Sequence, residues 1–123
     1  MAYLTDRKRA QGLGSSHHGT KHHWQMMVSS IALLFIIPAF VSTFGIGLGK
    51  PYEEVLAYYS HPVPAIIMAL SLIVIINHMM QETLVAVEDY VHGVAQILTL
   101  IAVKGISYTL IAVGLFGIAR LAL

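Results

Sequence analysis

No cysteine occurs in the 123 residues, which excludes disulfides and thiolate metal sites and leaves the redox compartment unmarked. Charge is scarce too: seven Lys/Arg and six Asp/Glu make 11% of the chain, where soluble domains carry about 25%. Hydrophobic residues reach 57% and mean hydropathy is +0.75. So few charges cannot cover a water-facing surface, which excludes an ordinary soluble enzyme and a disordered chain alike. The formal net charge of +1 gives no sign of nucleic-acid binding. Most of this chain is solvated by lipid.

The gaps between charges organise what is there. No charged residue lies between Lys21 and Lys50, none from Val55 to Gln81, and only Lys104 and Arg120 follow Tyr90. A helix needs about 20 apolar residues to cross about 30 Å of hydrocarbon. The sequence therefore predicts an all-α membrane protein with three transmembrane helices near 24–44, 64–87 and 96–121. Residues 24–121 form the anchor domain and 1–23 a polar N-terminal segment. The glycine-rich stretch from Gly45 to Gly49 with Pro51 ends the first span, and Pro62 and Pro64 suit the start of the second. Pro38 is expected to kink the first helix, and His92-Gly93 separates the last two. Trp24, Tyr52, Tyr58, Tyr59 and Tyr90 stand near span boundaries, as an aromatic belt would.

Arg7, Lys8, Arg9 and Lys21 precede the first span, so the positive-inside rule sets the N-terminus in the cytoplasm. The loop carrying Glu88, Asp89 and Tyr90 then faces the cytoplasm as well. The polar stretch before the first apolar run, residues 1–23, speaks against a signal peptide. Lys104 is read as lying in the first turns of the third helix and snorkelling to that interface. Gly105, Thr109, Gly114 and Gly117 permit close helix contacts.

The second span holds the polar residues that matter, Asn77-His78-Met79-Met80-Gln81-Glu82, followed by Glu88-Asp89-Tyr90-Val91-His92. At about 100° per residue, His78 and Glu82 share a face, and Asp89 returns to it with about 20° of drift, ~16 Å further along. Ionisable groups inside a bilayer face protein or cofactor rather than lipid. A mid-span imidazole suits a haem iron, and a hydrogen bond to a neighbouring helix accounts for it equally well. No second histidine sits at matching depth in the other spans, so a bis-imidazole site needs a ligand from another chain. Glu82 reads either as a neutral acid bonded across helices or as a proton-relay member. Together Glu82 and His78 also admit a different function, a small proton or cation transport subunit. Asp89 and Tyr90 at the interface can meet a quinone head group, though for an isolated Asp-Tyr an interfacial anchor beside a solvated acid is the stronger reading. His17, His18, His22 and His23 form a poor zinc pattern, and Lys21, His22 and His23 suit lipid phosphates or cofactor propionates better.

Three features resemble the small hydrophobic membrane-anchor family of succinate dehydrogenase, the cytochrome b556 type of respiratory complex II. They are Gly19-Thr20-Lys21-His22-His23-Trp24 leading into the first span, His78 in the second, and Glu88-Asp89-Tyr90-Val91-His92-Gly93. Asp89 and Tyr90 follow His78 by eleven and twelve residues, as in that family's signature. The resemblance implies that His78 is an axial ligand of haem b iron, paired with a histidine of a larger cytochrome b anchor subunit. It implies that Tyr90 and Asp89 line a ubiquinone site beside an iron–sulfur subunit, fed by succinate oxidation in a flavoprotein subunit. It further implies a multi-pass protein of the bacterial inner membrane that is non-catalytic by itself. Where relatives carry an arginine near the haem propionates, this sequence has Met26-Met27-Val28, which leaves Lys21, His22 and His23 for that contact.

Overall fold

The computed structural model describes residues 3–14 and 18–123, so His17 lies outside the described residues. Its elements are helices α1 (Asp6–Gln11), α2 (His18–Gly47), α3 (Tyr52–Tyr59), α4 (Pro62–Tyr90) and α5 (Val94–Ala122). Among the described residues no strand occurs. Three of the helices, α2, α4 and α5, are long and apolar enough to cross a membrane.

These three run past the apolar windows marked in the sequence. At 30 residues α2 spans about 45 Å, more than the ~30 Å of hydrocarbon. A helix does not end where lipid ends, because its backbone bonds continue into the headgroup region at no cost. Glu88, Asp89 and Tyr90, expected in a loop, are therefore the last turn of α4. The chain leaves that helix through extended Val91 and turns at Gly93, whose φ of 73° favours a residue without Cβ. Gln96 reaches back to donate to the Glu88 carbonyl at 3.2 Å, satisfying one group that the helix end leaves open.

Local chemistry accounts for the other boundaries. Helix α2 continues through Pro38 as far as Gly47, since membrane helices tolerate the lost backbone bond. Pro62 occupies the first position of α4, where its missing N–H costs nothing. His61 is the N-cap residue of that helix but makes no side-chain cap bond. The short helix α3 follows Pro51 with Glu53 and Glu54 in its first turn, where carboxylates favour the positive end of the helix dipole. In α1, the Thr5 hydroxyl accepts from the Lys8 N–H at 3.1 Å.

Two residues expected in the aromatic belt also pin α3 to α2. The Tyr58 hydroxyl donates to the Thr43 carbonyl at 3.1 Å, and Lys50 lies 5.3 Å from the Tyr58 ring centre. Tyr59 is buried, with its hydroxyl so close to Gly47 that a Cβ there would lie 3.2 Å away. Burial, with the neighbouring Tyr58 adding to it, pushes the Tyr59 phenol above its ordinary 10.0. It stays neutral, and the fold is destabilised by its ionisation only as pH rises past the phenol range.

Helix α4 is the shared neighbour of α2 and α5. The core along it is thin: Ala65, Met80 and Leu84 are buried, with Ser71 fully so and bonded to the Ile67 carbonyl at 2.6 Å. No residue of α5 is buried. Of the small residues expected to bring helices together, one does so. A Cβ on Gly114 would lie 2.5 Å from Leu72 Cδ2, whereas Gly105 and Gly117 face open space. Gly114→Val is expected to cost about 1–3 kcal/mol through overpacking against Leu72. Gly117→Val should stay within about 0.5 kcal/mol. Thermal unfolding of the two variants in detergent checks the difference.

Candidate functional site

The site begins with the antiparallel pairing of α2 and α4. Ser29 lies eleven residues after the start of α2 at His18, and His78 twelve before the end of α4 at Tyr90. The two therefore stand at matching depth, and the His78 Nδ1 meets the Ser29 hydroxyl at 2.8 Å. The same hydroxyl lies 3.0 Å from the Met26 carbonyl. The His78 side chain is 14% exposed, while that of Glu82, one turn on, is 59% exposed. The Glu82 Oε1 stands 3.8 Å from His78 Nε2, beyond hydrogen-bond reach.

The tautomer of His78 decides which of these contacts are hydrogen bonds. If Nδ1 carries hydrogen, it donates to Ser29, and Ser29 donates onward to Met26, so both short contacts are hydrogen bonds at once. If Nε2 carries it, Ser29 must choose between Nδ1 and Met26, and one contact is lost. The first arrangement leaves the Nε2 lone pair without a donor. Metal-bound histidines commonly show this pattern, with one nitrogen donating to a fixed acceptor and the other free for the ion. The ring thus engages the neighbouring helix through Nδ1 and makes no hydrogen bond through Nε2. Among the described residues, no group of three or more His, Asp or Glu is placed to hold a metal ion, so a metal at His78 needs further ligands from outside that set.

Two recesses open between α2 and α4 beside this pair. One, of about 320 Å³, is mostly apolar and lined by Trp24, Val28, Ala32, Ile73 and Val74. The other, of about 380 Å³, is polar and lined by His22, Gln25, Asn77 and Gln81. Gln25, Ser29 and Asn77 border both. An apolar wall next to a polar one, with a half-buried imidazole between the helices, fits a flat apolar cofactor carrying carboxylates at one edge. His22 strengthens the fit: its Nε2 is buried and has no hydrogen-bond partner, an arrangement that calls for an anionic or polar ligand.

The remaining predicted residues divide. Lys21 and His23 are exposed on the first turns of α2. Asp89 and Tyr90 are exposed at the end of α4, Tyr90 to 85%. The contact Glu82 makes is with His78 on its own helix rather than across helices. Lys104 lies ten residues into α5, deeper than the sequence implied, because the helix starts at Val94. There it borders a cavity of about 430 Å³ with His18, His22, Gln81 and Glu88. Sequence reasoning missed Ser29. The signal was available in two adjacent serines within an apolar run, at the depth of His78 when the spans are counted from their shared membrane face.

Three long apolar helices, a core too thin to cover them and a polar notch between two of them define a multi-pass membrane subunit that lipid and other chains must complete. Comparison with known proteins agrees. Residues 1–119 match the family described as succinate dehydrogenase/fumarate reductase transmembrane subunit. The chain is 38% identical over 123 residues to the succinate dehydrogenase hydrophobic membrane anchor subunit of Paracoccus denitrificans, covering 100% of this chain and 95% of that one. No solved structure matches it. The chain belongs to the succinate dehydrogenase/fumarate reductase transmembrane subunit family.

Proposed function

We propose that this chain anchors a succinate:quinone oxidoreductase in the bacterial inner membrane, holding haem b iron through His78 and contributing Asp89 and Tyr90 to quinone reduction. Family membership supports the anchor role. The observation that carries the haem assignment is the state of His78, a mid-span ring engaged through Nδ1, whose Nε2 makes no hydrogen bond and lies 3.8 Å from Glu82.

A haem b bound here supplies a one-electron site within the membrane. His78 would hold its iron through Nε2, with an imidazole of the larger cytochrome b anchor subunit as the second ligand. The apolar recess beside Val28 and Ile73 would offer such a group a water-poor wall. His22 fits a propionate through its unpartnered Nε2, with Lys21 and His23 adding positive potential nearby.

At the end of α4, the Tyr90 O–H donates to a quinone carbonyl, which holds the head group in place. Asp89 beside it accepts and returns protons as the ubiquinone is reduced. Both are exposed, as a site reached from lipid and closed by another subunit requires. The cluster of Arg7, Lys8, Arg9 and Lys21 supports a cytoplasmic position for this end of the bundle. An iron–sulfur subunit docks there and delivers electrons from the flavoprotein subunit that oxidises succinate.

Affinity purification of the chain from its own membranes tests this reading. A flavoprotein and an iron–sulfur protein should come with it in equal amounts, together with b-type absorption. A preparation free of flavin and of that absorption overturns it.

A further inference from the structure

We infer that Ser29 is a positioning residue that fixes the tautomer and raises the donor strength of His78. This rests on the haem reading above. Three contacts carry it: His78 Nδ1 to Ser29 at 2.8 Å, Ser29 to the Met26 carbonyl at 3.0 Å, and Ser30 to the same carbonyl at 2.8 Å.

The Met26 carbonyl accepts from two hydroxyls, that of part-buried Ser29 and that of exposed Ser30. That carbonyl also accepts the helical Ser30 N–H, and Ser29, 3.0 Å away, spends its only hydrogen there when His78 donates to it. Its oxygen then has lone pairs alone to offer, and the histidine must donate to it. The chain Nδ1–H to Ser29, Ser29 O–H to Met26 runs in one direction and ends on a backbone group that cannot move independently of α2. Nε2 is thereby kept free of hydrogen before any iron arrives. The helix geometry helps, because an i to i−3 bond from Ser29 to Met26 fixes its χ1 and aims the oxygen across the groove.

Pulling on the Nδ1–H lends the ring partial imidazolate character, so Nε2 becomes a stronger donor. A stronger donor stabilises ferric iron more than ferrous iron and lowers the reduction potential. Removing the hydroxyl has the opposite effect. It also frees the ring to rotate or to take its hydrogen on Nε2, both of which weaken the hold on iron. Loss of such an outer contact typically costs 10–100-fold in metal affinity.

The test compares Ser29→Ala, Ser29→Thr and His78→Ala in the assembled membrane complex. Haem content per flavin is measured under increasing detergent, and the haem midpoint potential by redox titration. Ser29→Ala should retain haem about tenfold less well. Its ferrous-to-ferric ratio at a fixed potential should rise about tenfold, equivalent to about 59 mV upward for a one-electron couple. Ser29→Thr, which keeps a hydroxyl, should restore both. Wild-type retention and potential in Ser29→Ala, with haem lost in His78→Ala, overturn the positioning role alone. A b-type spectrum that survives His78→Ala overturns the ligand assignment beneath it.

Discussion

Replacing His78 by alanine should strip the assembled complex of its b-type absorption while the other subunits stay attached. A side chain that only orients a ligand contributes 10–100-fold to metal affinity, so deleting the ligand itself costs more than about 100-fold. The fold loses little by comparison. The ring is 14% exposed and makes one side-chain hydrogen bond across the helices, and leaving Ser29 without that donor costs about 1–3 kcal/mol. The α4 core at Met80 and Leu84 is untouched, since both are buried and stand about 200° and 240° around the helix from His78. Absorption difference spectra against subunit composition separate the two effects. A normal spectrum in His78→Ala would remove iron from this histidine.

Replacing Tyr90 by phenylalanine should depress quinone reduction on the order of 100-fold, with succinate oxidation by a water-soluble artificial acceptor unchanged. At 85% exposure, Tyr90 is free of the protein interior, so the substitution deletes a hydroxyl and perturbs stability by no more than about 0.5 kcal/mol. The artificial acceptor draws electrons upstream of the membrane and reports assembly. The ratio of the two rates therefore isolates the phenol. Equal rates with quinone in variant and parent would take Tyr90 out of the site.

The three spans were legible because lipid imposes a composition that nothing else in the chain shares. The charge-free runs after Lys21 and Val55 mark α2 and α4 without help from propensity. The ends were not legible, because hydropathy reports where lipid stops and a helix stops where its caps and turns dictate. Asp89 and Tyr90 moved from loop to helix for that reason, and Lys104 moved deeper into α5. Helix α3 had its signal, Pro51 followed by Glu53 and Glu54, but too short a run to stand out between spans. In the site, the His78–Glu82 proximity follows from spacing along one helix. The His78–Ser29 contact joins positions 49 apart in the sequence and depends on how α2 seats against α4. Gly114 shows the same limit: three glycines in α5 look alike in sequence, and Leu72 selects one of them.

One continuous rod, α4, carries the imidazole at its middle and the acid–phenol pair at its tip. Their separation of twelve positions amounts to a rise of about 18 Å, set by a ladder of backbone bonds with no loop between. The helix therefore works as a ruler. One residue added between Glu82 and Glu88 would swing the tip by about 100° around the axis and lift it about 1.5 Å, whereas the turn at Gly93 lies beyond the gauge.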